Sequence, residues 1–268
     1  MNRIVKFPYS VISPVGAMAL ALTFGGCSSA PQKSADQSDV KTFTVSLANI
    51  HIIDAYGKRL MIDSGKHGDE PTFVSAMRAE GIDPRSIDYL VITHGHTDHA
   101  GGARYFKEHF GTTLIAGRDD QNMLASGKNA SLCPTNLLAN FLKPSIQQES
   151  YPPVSADIWV KGGFDLTEIG MKGQILSMPS HTPGSLVVLM NDKAFVGDVI
   201  RGELLNKTKP ARHFFMCDLK SNDRDIMKVL ENSEIEIWYT GHMGPVSTPS
   251  IKEKFESIPQ PITDSPRK

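Results

Sequence analysis

Apolar positions along the chain recur first with the period of strands. Thr42 to Leu47 and Ile50 to Ile53 read as short strands, and Leu60-Met61-Ile62 reads as a third after the turn Tyr56-Gly57-Lys58. A helical period follows over Pro71 to Glu80, with Pro at its start, Phe73 and Met77 four apart, and Gly81 as its stop. Tyr89-Leu90-Val91-Ile92 is a continuous apolar run, which predicts a strand buried on both faces. Ala103 to Phe110 reads as a helix with Phe106 and Phe110 on one face, and Thr112 to Ala116 as a strand. Residues from Asp119 to Pro153 lose this regularity and are expected as a short helix and loops. Strand patterns return at Ile175 to Met178, Ser185 to Met190 and Ala194 to Val196. A helix is predicted from Asn222 to Leu230, a last strand from Ile235 to Tyr239 and a closing helix from Ile251 to Phe255.

Strands and helices thus alternate in two halves, each opening on hairpin-like strands. Two strand layers covered by helices on both sides bury such a pattern, so the expected fold class is α/β, a four-layer αββα sandwich. One domain over residues 42–258 accounts for it, with no internal repeat, and residues 259–268, which hold three prolines, are expected to fray. Composition agrees: 40% hydrophobic and 21% charged residues are ordinary for a globular chain, and a net charge of −1 leaves no footprint for nucleic acid.

The first residues depart from this. Arg3 and Lys6 precede an uncharged, mostly apolar stretch from Val11 to Phe24, which ends in Gly25-Gly26-Cys27. A positive start, a short apolar core and small residues read as an export signal over residues 1–27, too short for a comfortable membrane span. Ser28 to Lys41 is polar and aperiodic, and reads as a flexible tether. Cys133 and Cys217 remain; in an exported protein they are free either to pair or to stay as separate thiols, and spacing decides neither.

The chemistry is concentrated at strand ends. Thr93 to Gly102 reads THGHTDHAGG and follows directly on the run Tyr89–Ile92, which sets His94, His96, Asp98 and His99 in a loop where α/β sites lie. Imidazole and carboxylate suit Zn²⁺, Fe²⁺ or Mn²⁺, and four such groups within six residues serve two adjacent ions more easily than one. His181 in PSHTPG, Asp198 closing FVGD and His242 closing WYTGH each stand after an apolar strand in a Gly- or Pro-rich turn.

With these residues in order, the chain resembles the metallo-β-lactamase superfamily. THGHTDH matches that superfamily's His-x-His-x-Asp-His signature, and the resemblance runs from about Phe43 to Phe255. It implies that His94, His96 and His181 hold one metal, that Asp98, His99 and His242 hold a second, and that Asp198 bridges them. Asp63 resembles an aspartate that supports the ligand loop from behind. The implied cofactors are two divalent ions, zinc first, with iron or manganese as alternatives. The implied activity is a hydrolase whose metal-bridging hydroxide, formed as the water pKa drops from 15.7 toward roughly 7, attacks a carbonyl or phosphoryl centre, with Asp98 orienting it.

Departures from particular branches narrow the substrate. True β-lactamases of the superfamily generally lack the bridging aspartate, and the di-iron redox branch carries Glu where His96 stands. The nucleic-acid-processing branch has a large insertion. Hydrolases of glutathione conjugates add a helical domain after the position of His242, and signal-lactone hydrolases place Tyr where Arg201 stands. An ester, thioester or lactone is the expected small-molecule substrate; a phosphodiester, or a non-catalytic metal-binding surface role, is the alternative. Arg201 could grip an anion, but Arg201, Phe214 and Phe215 read more simply as a surface arginine and two core aromatics. At the N-terminus, Gly25-Gly26-Cys27 resembles a bacterial lipobox, with Phe24 where Leu is usual. That resemblance implies a lipidated Cys27, a membrane anchor and a periplasm-facing place in the bacterial envelope. Ser28 after the cysteine points to the outer membrane.

Overall fold

The opening strands form because their residues alternate between two apolar surroundings. In the computed structural model, which describes residues 39–232 and 234–255, β1 (Asp39–Val45), β2 (Ala48–Ala55) and β3 (Lys58–Ile62) form an antiparallel meander. β4 (Tyr89–Ile92), β5 (Thr113–Gly117) and β6 (Ile158–Val160) then add in parallel, completing a six-stranded sheet in chain order. A second six-stranded sheet holds β7 (Gly163–Asp165), β8 (Gln174–Ser177), β9 (Leu186–Met190) and β10 (Lys193–Gly197). A small ribbon of β11 (Arg201–Gly202) and β12 (Pro210–Ala211) intervenes, and β13 (Ile237–Thr240) and β14 (Val246–Ser247) finish the second sheet.

Three cores fill the three gaps of a four-layer sandwich. On the outer face of the first sheet, Ile50, Ile52, Met61, Leu90, Ile92 and Leu114 pack on Phe73, Val74 and Met77 of α1 (Glu70–Ala79). Phe106 of α3 (Ala103–Phe110) joins them; the four-residue α2 (Thr97–Ala100) precedes it. Between the sheets, Ile53, Leu60, Ile62, Val91 and Ile115 meet Ile175, Leu186, Val188, Met190 and Phe195. On the far side, Val187, Leu189, Ala194, Val196 and Trp238 pack on Ile226, Val229, Ile251 and Phe255. These last four come from α6 (Leu219–Leu230) and α7 (Thr248–Phe255). Leu90 and Val91 therefore face different cores, as the continuous run at β4 requires. The αββα expectation holds.

Residues 119–153 carry two helices, α4 (Gln121–Ser126) and α5 (Leu137–Ile146). Several expectations need correction. β1 begins at Asp39, so the end of the tether expected through Lys41 is strand, held by pairing with β2 that no local pattern announces. The strand near Tyr239 is not the last: β14 pairs antiparallel with it after a tight turn. The export signal, Cys27, the rest of the tether, the domain end at 258 and the frayed tail lie outside the described residues.

Phe106 is fully buried between α3 and the first sheet, whereas the Leu205 side chain stands in water. Phe106→Ala is expected to lower unfolding stability by about 3–5 kcal/mol, and Leu205→Ser by no more than about 0.5 kcal/mol. Chemical denaturation with an unchanged slope would check both.

Candidate metal centre

The loop after β4 is held by a buried aspartate. Asp63 directly follows β3 in a left-handed conformation, φ 61°, rare for a residue with a side chain. Its Oδ1 accepts the Thr93 backbone N–H at 2.7 Å and its Oδ2 accepts the Thr93 hydroxyl at 2.8 Å. The same Oδ2 accepts from His99 Nδ1 at 2.8 Å. A second carboxylate ties this loop to the PSHTPG loop: Asp120 accepts from the Gly95 and Gly184 N–H groups and from the Thr182 hydroxyl. On the far side, the Asn49 amide on β2 donates to the carbonyls of Thr240 and Met243, which flank His242.

These anchors set the histidine tautomers. His99 donates from Nδ1 to Asp63, His181 to the Phe215 carbonyl at 2.9 Å and His242 to the Leu47 carbonyl at 2.9 Å. His94 Nδ1 meets the Thr93 hydroxyl at 3.1 Å. Each ring's outer nitrogen is thus spoken for and its Nε2 points inward, the arrangement that outer-shell partners impose on metal-binding histidines. His96 instead presents Nδ1, 3.0 Å from His181 Nε2.

The inward nitrogens crowd one oxygen. Asp198 Oδ2 lies 3.8 Å from His94 Nε2, 3.5 Å from His99 Nε2, 3.6 Å from His181 Nε2 and 3.5 Å from His242 Nε2. Asp98 Oδ2 stands 3.3 Å from His242 Nε2 and 3.7 Å from His99 Nε2. All seven residues expected from the sequence therefore meet, at the ends of strands from both sheets. Gly241 permits the approach: a Cβ there would lie 2.3 Å from Asp198 Oδ1 and 2.7 Å from the His99 ring.

Charge explains why the cluster suits cations. Burial drives His94 and His181 well below their ordinary range, and His96 down to about 4. Burial opposes charge on His99 too, yet Asp198, Asp98 and Asp63 together hold it well above the usual value. His242, likewise buried, is pushed up to about 10 by Asp198 and Asp98. Asp198 itself falls well below the carboxylate range; burial works against this, and His213, His242 and His99 outweigh it. Protons on His99 and His242 thus balance buried carboxylates. Meanwhile His94 Nε2 and Asp198 Oδ1 are buried without a partner. Orphaned donor atoms of the right chemistry fit divalent cations. His94, His96 and His181 would hold one, and Asp98, His99 and His242 another; in each set the ligand atoms lie within 4.8 Å of one another. Asp198 stands between the two sets.

Three features were not read from the sequence. His213 enters the cluster, with Nε2 3.0 Å from Asp198 Oδ2 and its ring stacked on His242, centroids 5.4 Å apart. Its only local signal is a histidine beside two phenylalanines. Asp120, alone in an irregular stretch, had no motif. Arg201 is no surface arginine, which corrects that expectation: it is 9% exposed, its guanidinium 3.9 Å from the Phe214 ring centroid and donating to the Gly202 carbonyl. Phe215 is buried, as a core aromatic should be, and Phe214 is half-buried. Cys133 and Cys217 form a disulfide, Cα atoms 4.9 Å apart.

Known proteins share this fold. A family model described as Metallo-beta-lactamase superfamily matches residues 43–254. The chain is 29% identical over 129 residues to a hydroxyacylglutathione hydrolase, GloC, of Haemophilus influenzae, covering 46% of this chain and 54% of that protein. It is 26% identical over 222 residues to an anaerobic nitric oxide reductase flavorubredoxin of an Enterobacter species, covering 81% of this chain and 39% of the relative. The match thus spans about half of the first relative's length and less of the second's. Among solved structures, the Rm3 metallo-beta-lactamase superposes with a TM-score of 0.59 at 15% identity, covering 82% of this chain and 88% of that one. BJP-1, a subclass B3 metallo-beta-lactamase of Bradyrhizobium japonicum, gives 0.56 at 18% identity, covering 76% and 75%. At these identities the structures speak for the fold alone.

Metal loading should release protons. His242 keeps its proton up to about pH 10 in the metal-free protein, and a metal must displace it. Apparent zinc affinity should therefore rise with pH above 6, through the range where His242 and His99 give up their protons. Calorimetry at pH 7 in buffers of different ionisation enthalpy should show net proton release; none would contradict the charged state of His242 and His99.

Proposed function

The chain belongs to the metallo-β-lactamase superfamily, and on that footing we propose that it is a hydrolase using two divalent cations to cleave an ester, thioester or lactone. One observation carries this: His94, His96 and His181 on one side and Asp98, His99 and His242 on the other converge around the buried Asp198. The chemistry that such ions supply when bound is Lewis-acid polarisation of a carbonyl oxygen and acidification of water.

The chain's own residues do the rest. Asp98 is the one ligand-type carboxylate with open access, its side chain 32% exposed toward the cavity above the cluster. Held well below the carboxylate range by His99 and His242 against the effect of burial, it is ionised and accepts a hydrogen bond from attacking water, orienting it. Asp63 keeps His99 in one tautomer, and Phe215 does the same for His181. The relative named as a hydroxyacylglutathione hydrolase favours an acyl bond over a phosphodiester.

Asp198→Asn should reduce both metal content and hydrolysis by roughly a hundredfold or more, beyond the 10–100-fold typical of outer-shell losses. Elemental analysis and a screen of thioesters, lactones and phosphodiesters on the metal-loaded chain would check this. Loaded protein that hydrolyses none of them would sink the reading.

We also propose that the chain is exported and anchored through lipid on Cys27. The Cys133–Cys217 disulfide suits an oxidising compartment. The full chain should fractionate with bacterial membranes, and Cys27→Ser should release it to the soluble periplasm. A native protein found soluble, with no lipid by mass spectrometry, would reject the anchor and leave the hydrolase reading intact.

A further inference from the structure

A cavity of about 420 Å³ rises from the ligand cluster, with His96, Asp98, Asp198 and His242 in its lining. Most of the rest of its wall is hydrocarbon. Leu138, Leu142 and Ile146 stand four apart along α5 and line it as one stripe. Leu204 lines it from the segment after β11, Phe214 from the segment after β12, and Leu47 from the turn between β1 and β2. Leu47 is 72% exposed, Leu138 46% and Leu204 52%. Leaving such side chains in water forgoes about 25 cal/mol for every Å² that could be buried, so their gathering at one cavity favours a ligand that covers them.

The polar part of the wall excludes one class of ligand. Among the described residues, Lys66 is the only lysine or arginine in the lining, and it is bound to Glu149 at 2.6 Å. Arg201 is turned under the Phe214 ring. Beyond the metal ligands, nothing among the described lining residues offers free positive charge to a polyanion.

The wall is also continuous with the chemistry. Thr135, just before α5, donates its backbone N–H to the Phe214 carbonyl at 2.9 Å, and the Cys133–Cys217 disulfide closes the same junction. The next carbonyl, that of Phe215, accepts from His181. A ligand lying along α5 and Phe214 therefore runs directly to the metal ligands.

We propose that this cavity takes the apolar tail of the substrate. The substrate is a neutral acyl compound whose carbonyl reaches Asp98 and the histidines while its alkyl chain lies along Leu138, Leu142, Leu204 and Phe214. This rests on the hydrolytic reading above. It names the acyl chain as the recognised part.

The test compares acetyl and octanoyl esters of one alcohol on the metal-loaded full chain, together with calorimetric binding of acetate and octanoate. kcat/KM should favour the octanoyl ester by at least about tenfold, since even one methylene in an apolar pocket is worth roughly that. Octanoate should bind tighter than acetate by a similar factor. The double variant Leu138→Asn/Leu204→Asn, at exposed positions where folding is spared, should bring both ratios to within about threefold of one. Leu205→Asn, outside the cavity lining, should leave both unchanged. Equal rates for the two esters, or ratios that the double variant does not move, would overturn the tail site while hydrolysis stands. If no ester is cleaved, the hydrolytic reading fails, and the binding ratio decides the tail site: octanoate no tighter than acetate overturns it. A double variant that turns a dimer into a monomer with both ratios intact assigns the leucines to a subunit contact and also overturns it.

Discussion

One buried oxygen, Asp198 Oδ2, organises the centre. The inward nitrogens of His94, His99, His181, His213 and His242 all stand within 3.0–3.8 Å of it. Removing a carboxylate from water is costly unless positive charge or hydrogen bonds replace the lost solvent. Five rings cannot all be protonated at that spacing, because like charges at such distances repel strongly. In the metal-free chain the balance falls to His99 and His242, whose partners hold their protons, while burial keeps His94, His96 and His181 neutral. Multivalent cations held by these residues would remove the conflict, since they would supply charge without the repulsion between rings.

The sandwich exists, for this site, to hold strand ends in register. His94 to His99 follow β4 in the first sheet; His181, Asp198 and His242 follow β8, β10 and β13 in the second. The site is therefore only as rigid as the core between the sheets, where Val91 and Phe195 lie in the same apolar layer directly behind it. Three polar bridges refine that placement. Asp63 joins β3 to Thr93 and His99, Asp120 joins the loops of His96 and His181, and Asn49 joins β2 to the loop of His242. All three residues are almost wholly buried. Substituting any of them would leave backbone N–H or carbonyl groups without partners.

The segment from Arg212 to Cys217 links the histidine cluster to the cavity above it. His213 reaches Asp198, Phe214 covers Arg201 and lines the cavity, and Phe215 accepts from His181. Cys217 then pins the strip to Cys133, beside α5. A displacement of α5 would thus be felt at two histidines through a few covalent and hydrogen-bonded steps.

What the amino-acid sequence determined alone was whatever is encoded at short range. Strand and helix periods, the doubly buried run at Tyr89–Ile92 and the metal-binding residue types packed into six residues at His94–His99 are patterns among neighbours, where backbone geometry fixes which side chains share a face. His181, Asp198 and His242 were legible because each closes an apolar strand in a Gly- or Pro-rich turn, and strand ends gather at one edge. Tertiary structure alone decided the rest. His213 is an ordinary loop histidine until the strip that carries it folds beside Asp198, 15 residues earlier in the numbering. Asp120 has no partner near it in sequence; its ties to Gly95 and Gly184 span 25 and 64 residues. Arginine usually lies at the surface, so burial of Arg201 against the Phe214 ring is not legible from its neighbours in sequence. Whether Cys133 meets Cys217 depended on an approach across 84 residues. Spacing along a chain constrains contacts within an element and says almost nothing about contacts between elements, because the packing of the layers, not the intervening residues, sets those distances.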